Sequence, residues 1–354
     1  MKELVLTFDY ELFGDGAGDL FTDVINPTNQ LLILCERFNI RATLFFEAIE
    51  YIRLKEEWSS GNFMGYDNDP LRAMENQIQD AAKMGHDIQL HVHPQWVSAE
   101  YRDSRWEVDF HNWRLNDFHL EDGYGVKELL SDAKNELEQL IRPVLPDYRC
   151  IALRAGAYSI VPSSQVYTAM QDLGLKIDSS VYPGGYENGS LSKYDYRNVP
   201  IDLDYWWADE TDIRKASVSR KDILEFPVFA LPARRWKKML TPLKILSILS
   251  GNKSSLSSVV QEKIKKTSPL QKIQYLCEKE AFTWDVCMFS KSLHKAFFNY
   301  IETRLATPRN TFVLIGHPKS LQNPKAFKSF IDLAKSRDQK YVFKTLSQKY
   351  NEIC

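Results

Sequence analysis

Two acidic residues one position apart, two histidines one position apart and a lone late histidine each stand at the end of an apolar run. Side chains of these types, so placed, can hold a cation and move protons. The first run, Leu4-Val5-Leu6-Thr7-Phe8, leads into Asp9-Tyr10-Glu11. Alternation along an extended chain puts Asp9 and Glu11 on the same side. One carboxylate can ligate a divalent cation while the other stays ionised and takes a proton from water; capping of a turn or helix is the structural alternative. In Asp87-Ile88-Gln89-Leu90-His91-Val92-His93, the apolar Ile88, Leu90 and Val92 share one face and leave Gln89, His91 and His93 on the other. Two imidazoles at i and i+2 can reach one cation at about 2.0 Å each, and a carboxylate completes a three-ligand open site. His86, at the entrance of the same run, reads as structural. The third run, Phe312 to Gly316, ends in His317, placed to act as a proton donor or acceptor.

These groups need elements that bring distant segments to one place. Strand-like runs occur at Leu4 to Phe8, Ala42 to Phe46, Asp87 to His93, Cys150 to Arg154, Leu175 to Asp178, Ile223 to Phe229 and Phe312 to Gly316. Helical spacing runs through Pro27 to Arg37, Leu71 to Met84, Val126 to Ile141, Ser163 to Leu173 and Lys291 to Leu305. Strands alternating with helices predict an α/β parallel sheet or barrel. Two long excursions interrupt the rhythm, at about 96 to 124 and 183 to 279, so the chain reads as a single domain over 1 to 354 with two insertions.

With 354 residues, 44% hydrophobic and 26% charged, the composition is that of a soluble globular protein, and a formal net charge of -2 excludes a global pull toward nucleic acid. The basic stretch from Arg234 to Lys253 is interleaved with Leu and Ile. It reads as a solvated helix, with peripheral membrane contact through 234 to 253 as the other interpretation. Five cysteines without CxxC spacing point to neither a disulfide framework nor a thiolate zinc site. The strand-like start leaves no room for a signal peptide, and the expected location is the cytoplasm.

These residues together resemble the polysaccharide deacetylase family, also known as the carbohydrate esterase family four homology group, across most of the chain. Thr7-Phe8-Asp9-Tyr10-Glu11 is similar to the family's Thr-Phe-Asp-Asp motif, which implies Asp9 as base and Glu11 as metal ligand. His91 matches the first histidine ligand; the second position is held by Gln95, so the resemblance implies His93 as the substitute. Arg154-Ala155-Gly156-Ala157-Tyr158 resembles the third motif, with Arg154 orienting the base and Tyr158 near the oxyanion. Asp178 matches the acid that tunes the catalytic histidine, with Asp285 a second candidate. His317 matches the general acid on the last strand.

The resemblance implies a distorted (β/α)7-type barrel with long inserted loops. It also implies a divalent metal, with zinc the expected ion, and hydrolysis of an N-acyl group, N-acetyl foremost, from an amino sugar in a glycan or glycan precursor of surface-polysaccharide synthesis. Aromatic residues of the first excursion, Trp96 foremost and also Tyr101, Trp106, Phe110, Trp113 and Tyr124, suit stacking on sugar. Two other readings remain: a hydrolase of a non-sugar linear amide or ureide, and a non-catalytic carbohydrate-binding barrel.

Overall fold

The computed structural model describes residues 1–234, 277–303, 305, 309–321, 324–337 and 340–354. The basic stretch at 234 to 253, beyond Arg234 itself, lies outside the described residues, as does most of the second half of the later excursion.

Apolar alternation in the first run produces β1 (Lys2–Tyr10), and the β-branched and aromatic runs that follow give β2 (Thr43–Glu47) and β3 (Asp87–Val92). The first excursion forms the hairpin β4 (Glu100–Arg102) and β5 (Arg105–Glu107). Then come β6 (Ala152–Ala155) and β7 (Ile177–Asp178). The second hairpin pairs β8 (Tyr186–Asn188) with β9 (Lys193–Asp195). The remaining strands are β10 (Trp206–Trp207), β11 (Leu224–Glu225), β12 (Ala230–Arg234), β13 (Lys279–Thr283), β14 (Thr311–Leu314) and β15 (Tyr341–Lys344).

The main sheet runs β10-β11-β7-β6-β3-β2-β1-β14, with β15 beside the start of β1; its pairings are parallel except β10 with β11. Val228, just past β11, bridges parallel to Val313 of β14 and so joins the two sides of the curled sheet. Seven parallel strands therefore circle one interior, in the distorted (β/α)7-type barrel expected from the sequence. Inward residues Val5, Phe45, Ala152, Ile177, Phe226 and Val313 fill it as one buried cluster, and larger clusters on the outside pack the helices. The C-terminal helix Leu346–Ile353 plugs the floor: the Leu346 backbone N–H donates to Thr43 Oγ1, and Ser347 bonds Asp87 through both backbone and hydroxyl.

Helix Val126–Ile141 shows how the pattern works. Val126, Leu129, Leu130, Ala133, Leu137 and Ile141 recur at three- and four-residue steps, and all are buried. Helix Ala48–Ser59 was not legible in the same way. It starts directly after β2 with no turn between, and it is capped by the Glu47 carboxylate, which accepts from the Ile49 and Glu50 backbone N–H groups. Among the described residues, no helix is long and apolar enough to cross a membrane.

Candidate active site

At the carboxyl ends of β1, β3, β6 and β14 the polar side chains point into one cleft, as barrel topology favours. The alternation of β1 sends Leu4, Leu6 and Phe8 outward to an apolar cluster and Thr7, Asp9 and Glu11 toward the cleft. Asp9 and Glu11 are only 4% and 6% exposed, so every charge they carry must be met inside the protein.

Asp9 is met by Arg154, whose Nη1 donates to Asp9 Oδ1 at 2.6 Å and to Thr7 Oγ1 at 2.8 Å. The guanidinium is fixed further: Nε donates to the Ser179 carbonyl, Nη2 to Ser179 Oγ, and the plane lies 4.1 Å over the Phe45 ring. Burial works to raise the Asp9 pKa, but Arg154, with help from His91 and His317, outweighs it and holds the carboxyl below its ordinary range. On the other side of Asp9, His317 Nε2 stands 3.5 Å from Oδ2. His317 Nδ1 faces Asp285 Oδ2 at 3.1 Å, and Asp285 is itself anchored by the backbone N–H groups of Cys287 and Met288. Burial favours the neutral imidazole, yet the Asp285 hydrogen bond and the Asp9 charge raise the His317 pKa above its ordinary value.

Glu11 gathers the second group. Its Oε2 lies 2.9 Å from His93 Nε2 and 3.3 Å from His91 Nε2, while Oε1 accepts from Lys319 Nζ at 2.8 Å. Against the raising effect of burial, Lys319 and the two histidines hold the Glu11 pKa well below the usual carboxylate range. Glu11, His91 and His93 together could hold a metal ion, their ligand atoms all lying within 4.8 Å of one another.

The donor set fits a cation for a local reason. His91 Nδ1 is 2.8 Å from the Arg154 carbonyl, which can only accept, so Nδ1 carries the hydrogen and Nε2 presents a lone pair toward Glu11. That Nε2 is buried without a hydrogen-bond partner. A lone pair opposite a carboxylate oxygen calls for positive charge between them, and two imidazoles plus one carboxylate suit zinc. His93 is turned by Gln95, whose amide lies 2.8 Å from Nδ1, and its backbone N–H donates to Glu47 Oε1. The same Gln95 Nε2 donates to the Gly14 carbonyl at 3.2 Å, and ligation through His93 Nε2 requires the tautomer that carries its hydrogen on Nδ1. Gly156 makes room for this ring: a Cβ there would lie 2.5 Å from His93 Cγ.

The structure brings Asp9, Glu11, His91, His93, Arg154 and His317 to one cleft, and it seats Gln95 behind His93. Two expectations are corrected. Asp178 does not reach His317: it lies at the end of β7, where it accepts from the Ser180 hydroxyl and backbone N–H, with β11 between it and β14. Asp285 is the carboxylate that reaches His317, because it bridges parallel to Ile315, two residues before it. Trp96 cannot stack on a substrate, since it is 1% exposed and packs edge-on against Trp106. The aromatic residue beside the cation group is Trp113, 6.2 Å from His93, stacked on the half-exposed Phe110 and tied by Nε1 to Ser192 Oγ of the second excursion. Tyr158 follows β6 by three residues, at the cleft end of that strand. It and Ala157 both have positive φ, 57° and 49°, a strained turn directly after β6, and Tyr196 Oη donates to the Tyr158 carbonyl. Lys319 carried no signal beyond following His317 by two positions; the short turn Pro318–Ser320 folds it back onto Glu11.

The sequence matches no protein-family model, and no curated protein resembles it closely enough to count as a match. Solved structures do resemble it. A protein from Mycobacterium smegmatis named as a polysaccharide deacetylase is 14% identical, with a TM-score of 0.51 over 99% of this chain and 89% of its own. One so named from Pseudomonas aeruginosa is 15% identical over 98% and 88%, with a TM-score of 0.47. Puue allantoinase is 12% identical over 98% and 87%, also at 0.47. The fold is the polysaccharide deacetylase fold. At such identities the likeness is one of architecture alone.

Proposed function

We propose that this chain is a metal-dependent amidohydrolase of the cytoplasm that removes an N-acyl group, N-acetyl foremost, from an amino sugar in a glycan or glycan precursor of surface-polysaccharide synthesis. The observation that carries the reading is the juxtaposition of Glu11, His91 and His93 with an Arg154-held Asp9 and an Asp285-held His317. A binding protein has no use for an acid and a base flanking one cleft.

Glu11, His91 and His93 would hold the ion, with zinc favoured by the donor set; when bound, it would supply Lewis-acid polarisation of the acyl carbonyl and the attacking water. Asp9, kept ionised and in place by Arg154, takes the proton as water oxygen bonds the acyl carbon. The backbone N–H of Tyr158 is offered to the charge developing on the acyl oxygen. His317, kept protonated through Asp285, gives its Nε2 proton to the nitrogen as the C–N bond breaks. The products are a carboxylic acid and a free amine. Support for a sugar comes from the rim, where Phe110 and Trp113 of one excursion meet Ser192 of the other beside His93.

The test is metal analysis of the purified protein together with mass spectrometry of N-acetylated glycan precursors after incubation. The expected result is about one zinc per chain and loss of one acetyl mass, reversed by a chelator. Release of no acyl group from sugars, with hydrolysis of a linear amide or ureide instead, would move the substrate class while keeping the chemistry.

A further inference from the structure

We propose that Lys319 is a positioning residue that confines Glu11 to ligation through a single oxygen and deliberately weakens the hold on the cation. The inference rests on reading Glu11, His91 and His93 as a metal site.

Lys319 is no mobile surface lysine. Its side chain is 11% exposed, Nζ donates to Glu11 Oε1 at 2.8 Å and to the Leu12 carbonyl at 2.5 Å, and the ammonium lies 5.3 Å from the Phe13 ring centre. The turn that carries it is pinned by backbone bonds from Ser320 to His317 and from Leu321 to Pro318. Two consequences follow from this placement. Oε1 is turned to the ammonium, so Oε2, the oxygen already facing both imidazoles, is the one presented for ligation. The charge of the one carboxylate in the ligand set is also balanced before any ion arrives. Two neutral imidazoles and a neutralised carboxylate leave a bound dication with its charge uncompensated, and a buried ammonium one ligand away repels it across a medium of low dielectric.

The sign of this effect separates Lys319 from an ordinary partner of a metal ligand. Groups that hydrogen-bond ligands usually support binding, and removing them weakens metal affinity about ten- to a hundredfold. A partner of the cation's own sign does the reverse. The site is then built for a strongly polarising ion, not for a tightly held one.

The experiment measures zinc affinity of the full-length, metal-stripped protein by competition with a chromophoric chelator, for the wild type and for Lys319→Met, Lys319→Gln and Lys319→Arg. Loss of the charge in Lys319→Met, and in Lys319→Gln, which keeps a donor for Oε1, is expected to tighten zinc binding at least about tenfold. Lys319→Arg, which keeps the charge, is expected to stay within about threefold of the wild type. Unchanged or weaker binding in both neutral variants, with wild-type zinc uptake intact, overturns the inference alone. A wild-type protein that takes up no zinc sinks the metal reading, and this inference with it.

Discussion

Two pairs of buried carboxylates stand at strand ends in this barrel and come to opposite states. Asp9 and Glu11 at the end of β1 face Arg154, Lys319 and three imidazoles, and both are held below their ordinary pKa range. Asp178 and Glu225 sit opposite each other on the paired strands β7 and β11, both 0% exposed, and both are raised, chiefly by burial. Arg154 is felt there only weakly. Glu225 Oε2 is buried without a hydrogen-bond partner, and the neighbouring Asp178 adds to the effect of burial in raising the Glu225 pKa. Burial by itself pushes every carboxyl toward the neutral form; direct contact with cationic side chains decides which pair is held ionised. The second pair is scaffold. Through Ser180 it supports the Ala155 backbone and the start of the turn that carries Tyr158.

The largest expected break between the pairs is in turnover. Asp9→Asn and His317→Ala should each cost about a hundred- to ten-thousandfold in kcat, with zinc content unchanged, whereas Glu225→Gln should leave the rate within a few fold. Equal losses in all three would erase the distinction.

Next in size is the pairing of His317. Asp285→Asn should lower kcat about tenfold to a hundredfold with little change in KM, and Asp178→Asn should not. The sign of the accompanying pH effect is fixed by the raised His317 pKa. The imidazole is protonated below that value, so withdrawing Asp285 brings the pKa down and moves the alkaline limb of the rate profile to lower pH. A limb that stays put would return the role to another group.

The smallest effect is on stability. Because Asp178 and Glu225 bind protons more strongly in the folded state than in the unfolded chain, stability falls as pH rises from the ordinary carboxylate range, about pH 4, through their raised folded values. Glu225→Gln carries a permanent hydrogen-bond donor and should flatten that decline. Denaturant unfolding should find the variant equal to the wild type near pH 4 and more stable at neutral pH, by on the order of 1 to 2 kcal/mol. A gain that is independent of pH would mean the pair's raised pKa values are not its source.

Much of the site could be read directly from residue order. Period-two alternation placed Asp9 with Glu11 and His91 with His93, and the apolar run ending at His317 marked another strand end on the same rim. Trp96 misled because an aromatic residue beside a histidine motif looks the same in sequence whether it lines a cleft or fills a core; its burial under Trp106 depends on how the first excursion folds back. Gln95 misled less, since its amide reaches His93 from the position where a ligand was sought.

The residue order by itself determined which side chains share a face, because alternation along a strand is a property of the local backbone. Which strand ends meet was decided only by the tertiary structure. Asp285 reaches His317 in place of Asp178, and Lys319 reaches Glu11, because sheet order, the Val228 to Val313 bridge and one short turn set those distances. Such contacts join residues about thirty to three hundred positions apart, where no periodicity extends and only packing selects the partner.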